Sequence, residues 1–92
     1  MEEFFERINE WLDCNKGENI AVSDHGVGRS MTCIYKNIKY RYSFNILKIL
    51  SFDGGSSLCI NMNRVTGLQE FKDIKTLIIS FDDGEEVGLC SV

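Results

Sequence analysis

The chain has 92 residues, enough for one compact core and no second. It is 43% hydrophobic and 11% aromatic with a net charge of only −4, a balance that excludes a disordered polypeptide. No apolar run approaches the roughly 20 residues needed to cross a bilayer, and the absence of Pro excludes proline-directed docking motifs.

The first residues read Glu2, Glu3, Phe4, Phe5, Glu6, without the basic start and apolar stretch of a secretory signal, so a cytoplasmic location is expected. Phe4, Phe5, Ile8, Trp11 and Leu12 fall at the i, i+3, i+4 and i+7 spacings of an amphipathic helix. Glu2, Glu3, Glu6, Arg7, Glu10 and Asp13 take the other face, and the early acids suit the positive end of the helix dipole. Gly17 is placed to end the helix in a left-handed conformation. An isolated helix of this length is marginal in water, so its apolar face needs a sheet to cover.

After Gly17 the period changes to two. Met31, Cys33 and Tyr35 share one face of an alternating segment, which reads Cys33 as a buried structural thiol. Ile38, Tyr40, Tyr42 and Phe44 alternate with Lys39, Arg41 and Ser43, which places the aromatics on the core and the cations outward. Lys36 and Asn37 between these segments fit a two-residue hairpin turn. Residues 46–52 are apolar on both faces, as in a central strand; periodicity alone leaves a short helix there open.

Ser51-Phe52-Asp53-Gly54-Gly55 resembles Ser80-Phe81-Asp82-Asp83-Gly84 at an offset of 29 residues, and both read as β-hairpin turns. Between them, Thr66-Gly67-Leu68-Gln69 fits a capping box, while Val65 to Phe71 followed by Lys72-Asp73 fits a meander strand, the reading preferred here. The whole is expected to be an α+β domain, residues 1–92, with a helix over 1–16 packed on a mostly antiparallel sheet of hairpins over 20–92.

Few residues combine into chemistry. Cys14, Cys33, Cys59 and Cys90 form no CxxC pair and the one histidine is His25, so neither a zinc site nor any other metal or cofactor is expected. Four free thiols, three or four of them packed as small hydrophobes, are the expectation. Ser23-Asp24-His25-Gly26-Val27-Gly28-Arg29-Ser30 is the one stretch that looks like a reactive loop, but Met31 stands where a dinucleotide fingerprint has its third Gly. It reads as a surface connection, and adjacent Asp24 and His25 in a strand would point to opposite faces. A thiol–histidine enzyme built from Cys33 and His25 is the weakest of the functional readings. Asp82, Asp83, Glu85 and Glu86 lack the calcium-loop arrangement and read as a solvated turn.

Charge is distributed unevenly. From His25 to Phe52 there is no Asp or Glu, while Arg29, Lys36, Lys39, Arg41 and Lys48 are all cationic; the flanking segments are both net acidic. This basic strip is the candidate contact site. The leading expectation is a non-enzymatic protein-binding module, a small inhibitor or adaptor, one concrete version being a phage-type counter-defence inhibitor of a nucleic-acid-handling enzyme. The alternative is a binder of phosphate-bearing ligands or nucleic acid through the basic strand face. Phosphate contact fits the strip, but base stacking does not if the aromatics all turn inward.

Overall fold

The computed structural model describes residues 2–26, 29–52 and 57–92, without the side chains of Glu2, Arg29 and Ser30. Helix α1 (Glu2–Cys14) buries Ile8, Trp11 and Leu12 and half-buries Phe4 and Phe5, the stripe expected from the spacing. It ends two residues earlier than expected, followed by a turn in which Gly17 has φ +82°. The Asn15 side chain donates to the Trp11 carbonyl at 2.8 Å, satisfying one acceptor that the helix end leaves open. Gly17 N–H then donates to the Ile38 carbonyl at 3.2 Å, fixing the helix exit against the rest of the chain.

Among the described residues, eight strands follow: β1 (Ile20–Gly26), β2 (Arg29–Tyr35), β3 (Lys39–Ser43), β4 (Ile46–Leu50), β5 (Ser57–Asn61), β6 (Val65–Phe71), β7 (Thr76–Phe81) and β8 (Glu86–Ser91). They divide into a five-stranded sheet in the order β2-β1-β8-β7-β6 and a three-stranded sheet in the order β3-β4-β5, antiparallel throughout. The chain makes one hairpin in the large sheet, crosses to build the small sheet as a meander, and returns for β6 to β8. The last strand then pairs with the first, Val22 opposite Leu89.

One core joins all three layers. Ile20, Val22, Leu77, Ile79, Val87 and Leu89 come from the inner face of the large sheet, Leu47, Ile49 and Ile60 from the small sheet, and Ile8, Trp11 and Leu12 from the helix.

Several sequence expectations need correction. Lys36 and Asn37 do not close a hairpin: β2 and β3 belong to different sheets, and these residues form the corner between them. Asn37 does take the positive φ expected of a turn Asn, +46°, and its N–H donates to Asn19 Oδ1 at 3.0 Å. Of Met31, Cys33 and Tyr35, only Tyr35 is buried; Met31 is 64% exposed and Cys33 is exposed. β2 is an edge strand, and three strands cannot cover the width of five. The thiols therefore do not serve as core hydrophobes: Cys14, Cys33 and Cys59 are exposed and Cys90 is half-buried.

β4 is the central strand of its sheet, but only Leu47 and Ile49 are buried; Ile46 and Lys48 face outward. The similar turn segments do lie in two antiparallel pairs, β4–β5 and β7–β8, with residues 53–56 outside the description. Their registers differ by one residue. Leu50 faces Ser57, whereas Ile79, at the matching position, faces Val87. A one-residue slip exchanges the faces of a strand, so Ile49 is buried and its counterpart Ile78 is not. That offset favours convergence on good turn chemistry over duplication. Residues 65–71 form a strand as preferred, with a register shift between Val65 and Gly67.

Candidate functional site

The supposed reactive loop is two strands rather than a surface connection. Ser23, Asp24 and His25 lie in β1, and Val27 and Gly28 are outside the description. Asp24 follows the inward row of Ile20 and Val22 and lines a cavity of about 190 Å³ with Arg64 and Glu85. His25 lies on the opposite row, opposite Glu86 of β8. Cys33 pairs with Val22 on the other side of the sheet from His25, so the thiol and imidazole are not brought together. At the β7–β8 turn, Arg64 Nε donates to Asp82 Oδ1 at 3.2 Å and its Nη2 donates to Asp83. The Asp83 carboxylate lies below its usual range, held there first by the Glu85 backbone N–H and also by the Arg64 guanidinium. These acids brace a turn, and among the described residues there is no metal-ligating cluster.

The basic strip is divided by the fold. Arg29 begins β2 in the large sheet, and its side chain is outside the description. Lys36 is exposed at the corner between sheets, its backbone N–H bonded to Ser51 Oγ at 3.0 Å. Lys39, Arg41 and Lys48 come together on the outer face of the small sheet. Tyr40 and Tyr42 take the other face of β3, but only Tyr40 packs against the core. Tyr42 is 42% exposed, contrary to expectation, while Ile38, just before the strand, is buried.

Register makes this face specific. Arg41 stands directly opposite Lys48 across β3–β4, and Lys48 directly opposite Cys59 across β4–β5. None of the three strands carries an Asp or Glu. Among the described residues, neither Arg41 nor Lys48 makes an ion pair. Like charges facing each other across strands destabilise a sheet by up to about 1 kcal/mol, so this pair is not explained by folding.

The residue missed from the sequence is Phe44. It was expected on the core face with Tyr40 and Tyr42, yet it is 95% exposed at the β3–β4 turn. Phe44 and Asn45 have φ of +52° and +63°, the two-positive pattern of a tight hairpin. A bulky side chain is strained there, and no Gly marked the turn in the sequence. The turn is held from beneath. Tyr42 donates its hydroxyl to Asn45 Oδ1 at 3.0 Å, its ring lies 4.2 Å from that of Phe5, and Met62 N–H donates to the Asn45 carbonyl at 2.8 Å. Phe44 is thus a fixed apolar tip beside outward-facing Ile46, at the end of the face carrying Arg41 and Lys48.

Alongside lies the acidic helix, with Glu3, Glu6, Glu10 and Asp13 exposed. The Tyr40 hydroxyl donates to Asp13, bridging helix and small sheet. A groove of about 410 Å³ between the helix and the β6–β7 connection is lined by Arg7, Glu10, Trp11, Glu70, Lys72 and Lys75, a mixed set with no convergent chemistry. No family model, no curated protein and no solved structure matches this chain, so the geometry alone carries the functional reading.

Proposed function

We propose that the chain is a non-enzymatic binding module that docks an acidic protein surface on the outer face of its small sheet. The observation that carries this is the Arg41–Lys48 pair, set side by side with no carboxylate on its strands. A partner's acids would relieve the repulsion, and Phe44 with Ile46 would fill an apolar socket beside them. Rigid aromatic anchors next to desolvated Arg are typical of interface hot spots. The acidic helix face would steer the same partner's orientation, since complementary charge sets register and on-rate. A cytoplasmic inhibitor or adaptor is the corresponding role; among the described residues no helix is long and apolar enough to cross a membrane.

One observation favours a second reading. Phe44 supplies a stacking platform that alternation had seemed to deny, so a single-stranded nucleic acid would find one base contact beside three cations.

Fluorescence anisotropy with defined probes separates the two. A labelled Glu-rich peptide with a central Trp should bind more tightly than the all-Glu peptide and more tightly than a single-stranded oligonucleotide of equal charge. Arg41→Ala/Lys48→Ala should abolish peptide binding, and Phe44→Ala should remove the advantage of the Trp. Tighter oligonucleotide binding with a steep salt dependence would overturn the protein reading in favour of the second. Failure to bind any of the three probes would overturn both.

A further inference from the structure

The outer face of the five-stranded sheet lies away from the core, the helix and the small sheet. Among its described outward positions, Glu86 is the only Asp, Glu, Lys or Arg. Its centre is built from Ala21, Ser23, Gly88, Cys90, Thr76 and Ile78, where a solvated surface usually carries about a quarter to a third charged residues. Ile34, 49% exposed, and Phe71, 44% exposed, stand at the two edges.

Gly88 sits in the middle of the central strand, and nothing in the single chain requires a glycine there. Its φ is not positive, and an added Cβ would meet only Ser23 Cβ, at an ordinary 3.8 Å. Gly67 on β6 has similar room, its nearest neighbour Ser80 Cβ at 4.0 Å, but it adjoins the register shift after Val65, where a glycine is common without any second layer. Glycine inside a strand weakens it and often marks close approach by another layer.

The geometry points to a symmetric homodimer in which two copies stack the outer faces of their five-stranded sheets. Charge selects a second copy as occupant. The acidic helix face and the Lys39-Arg41-Lys48 face would each repel themselves across a twofold axis, whereas this face is nearly neutral. His25 lies beside Glu86 on the same row, so its one acid has a partner of suitable chemistry. Five strands at sheet spacing, with about six residues each, give a planar patch of about 24 Å by 20 Å. Two such patches bury about 1,000 Å², the threshold for a specific interface, before side-chain relief is counted. The edge residues Ile34 and Phe71 stand as ridges, and Gly67 and Gly88 as hollows to receive them. This arrangement leaves the docking face of the small sheet free on both copies.

Sedimentation velocity from micromolar to millimolar loading tests it. The wild type should reach twice the chain mass, and added salt should not weaken the association, because each copy carries −4. Gly88→Glu places a carboxylate at the centre of the stack and should weaken dimerisation at least tenfold with the fold retained by circular dichroism. Should that variant fail to fold, Ile34→Lys at the exposed edge makes the same test. Arg41→Ala/Lys48→Ala should dimerise as the wild type does. A wild type of single-chain mass at every loading overturns the inference, as does either folded variant keeping the doubled mass. Association that salt abolishes would indicate head-to-tail stacking of acidic helix on basic sheet, and would also overturn it.

Discussion

The hydroxyl of Tyr40 donates to the carboxylate of Asp13, joining the first strand of the small sheet to the last turn of the helix. Burial first, then the bond and negative charge of Asp13, push the Tyr40 pKa up to about 12. A raised folded-state pKa contributes stability that is fully present below the unfolded value near 10 and is lost as pH rises through the folded value. Alkaline unfolding followed by tyrosinate absorbance should therefore show a loss of stability between about pH 10 and 12 that Tyr40→Phe lacks. At neutral pH the same variant should lose no more than about 1 kcal/mol, since the site is partly solvated. An unchanged alkaline profile in Tyr40→Phe would remove this bridge from the account.

Trp11 is 6% exposed and packs in the core shared by helix and both sheets. Trp11→Ala should cost about 3–5 kcal/mol in a urea titration, a large part of the stability of so small a domain. A shift below about 1 kcal/mol would mean that the helix contributes little to holding the sheets together.

At Phe44, stability and binding should move in opposite directions. Phe44→Asn places a residue tolerant of positive φ at the strained turn position and should raise stability by about 0.5–1 kcal/mol. The same change should weaken the peptide binding described above. Loss of stability would show that Phe44 packs on the domain and is not presented to a partner.

The thiols should react in two phases. Alkylation of the native protein, mapped by peptide mass, should reach Cys14, Cys33 and Cys59 first. Cys90 should follow slowly, being half-buried with its Sγ directed at the Ile74 carbonyl. Protection of Cys33 or Cys59 at low protein concentration would contradict the exposed edge of β2 or the open outer face of the small sheet.

What the sequence determined was local. Helical spacing alone identified Ile8, Trp11 and Leu12 as buried, because a helix presents i, i+3 and i+4 together whatever it packs against. Alternation separated Tyr40 and Tyr42 from Lys39 and Arg41 for the same reason, and the Asp-Gly turn before β8 was legible because its chemistry lies within a few residues. The tertiary structure decided which faces are covered. Met31 and Cys33 carry the pattern of an inward row, yet β2 became an edge beyond the reach of the small sheet. Phe44 continued an alternation that the chain broke by turning one residue after Ser43. The basic strip was contiguous in sequence, but the corner at Asn37 sent Arg29 to one sheet and Lys39, Arg41 and Lys48 to the other. Period-two patterning fixes which residues share a side of a strand; only long-range pairing, such as β8 with β1, fixes whether that side meets a core, a partner or water.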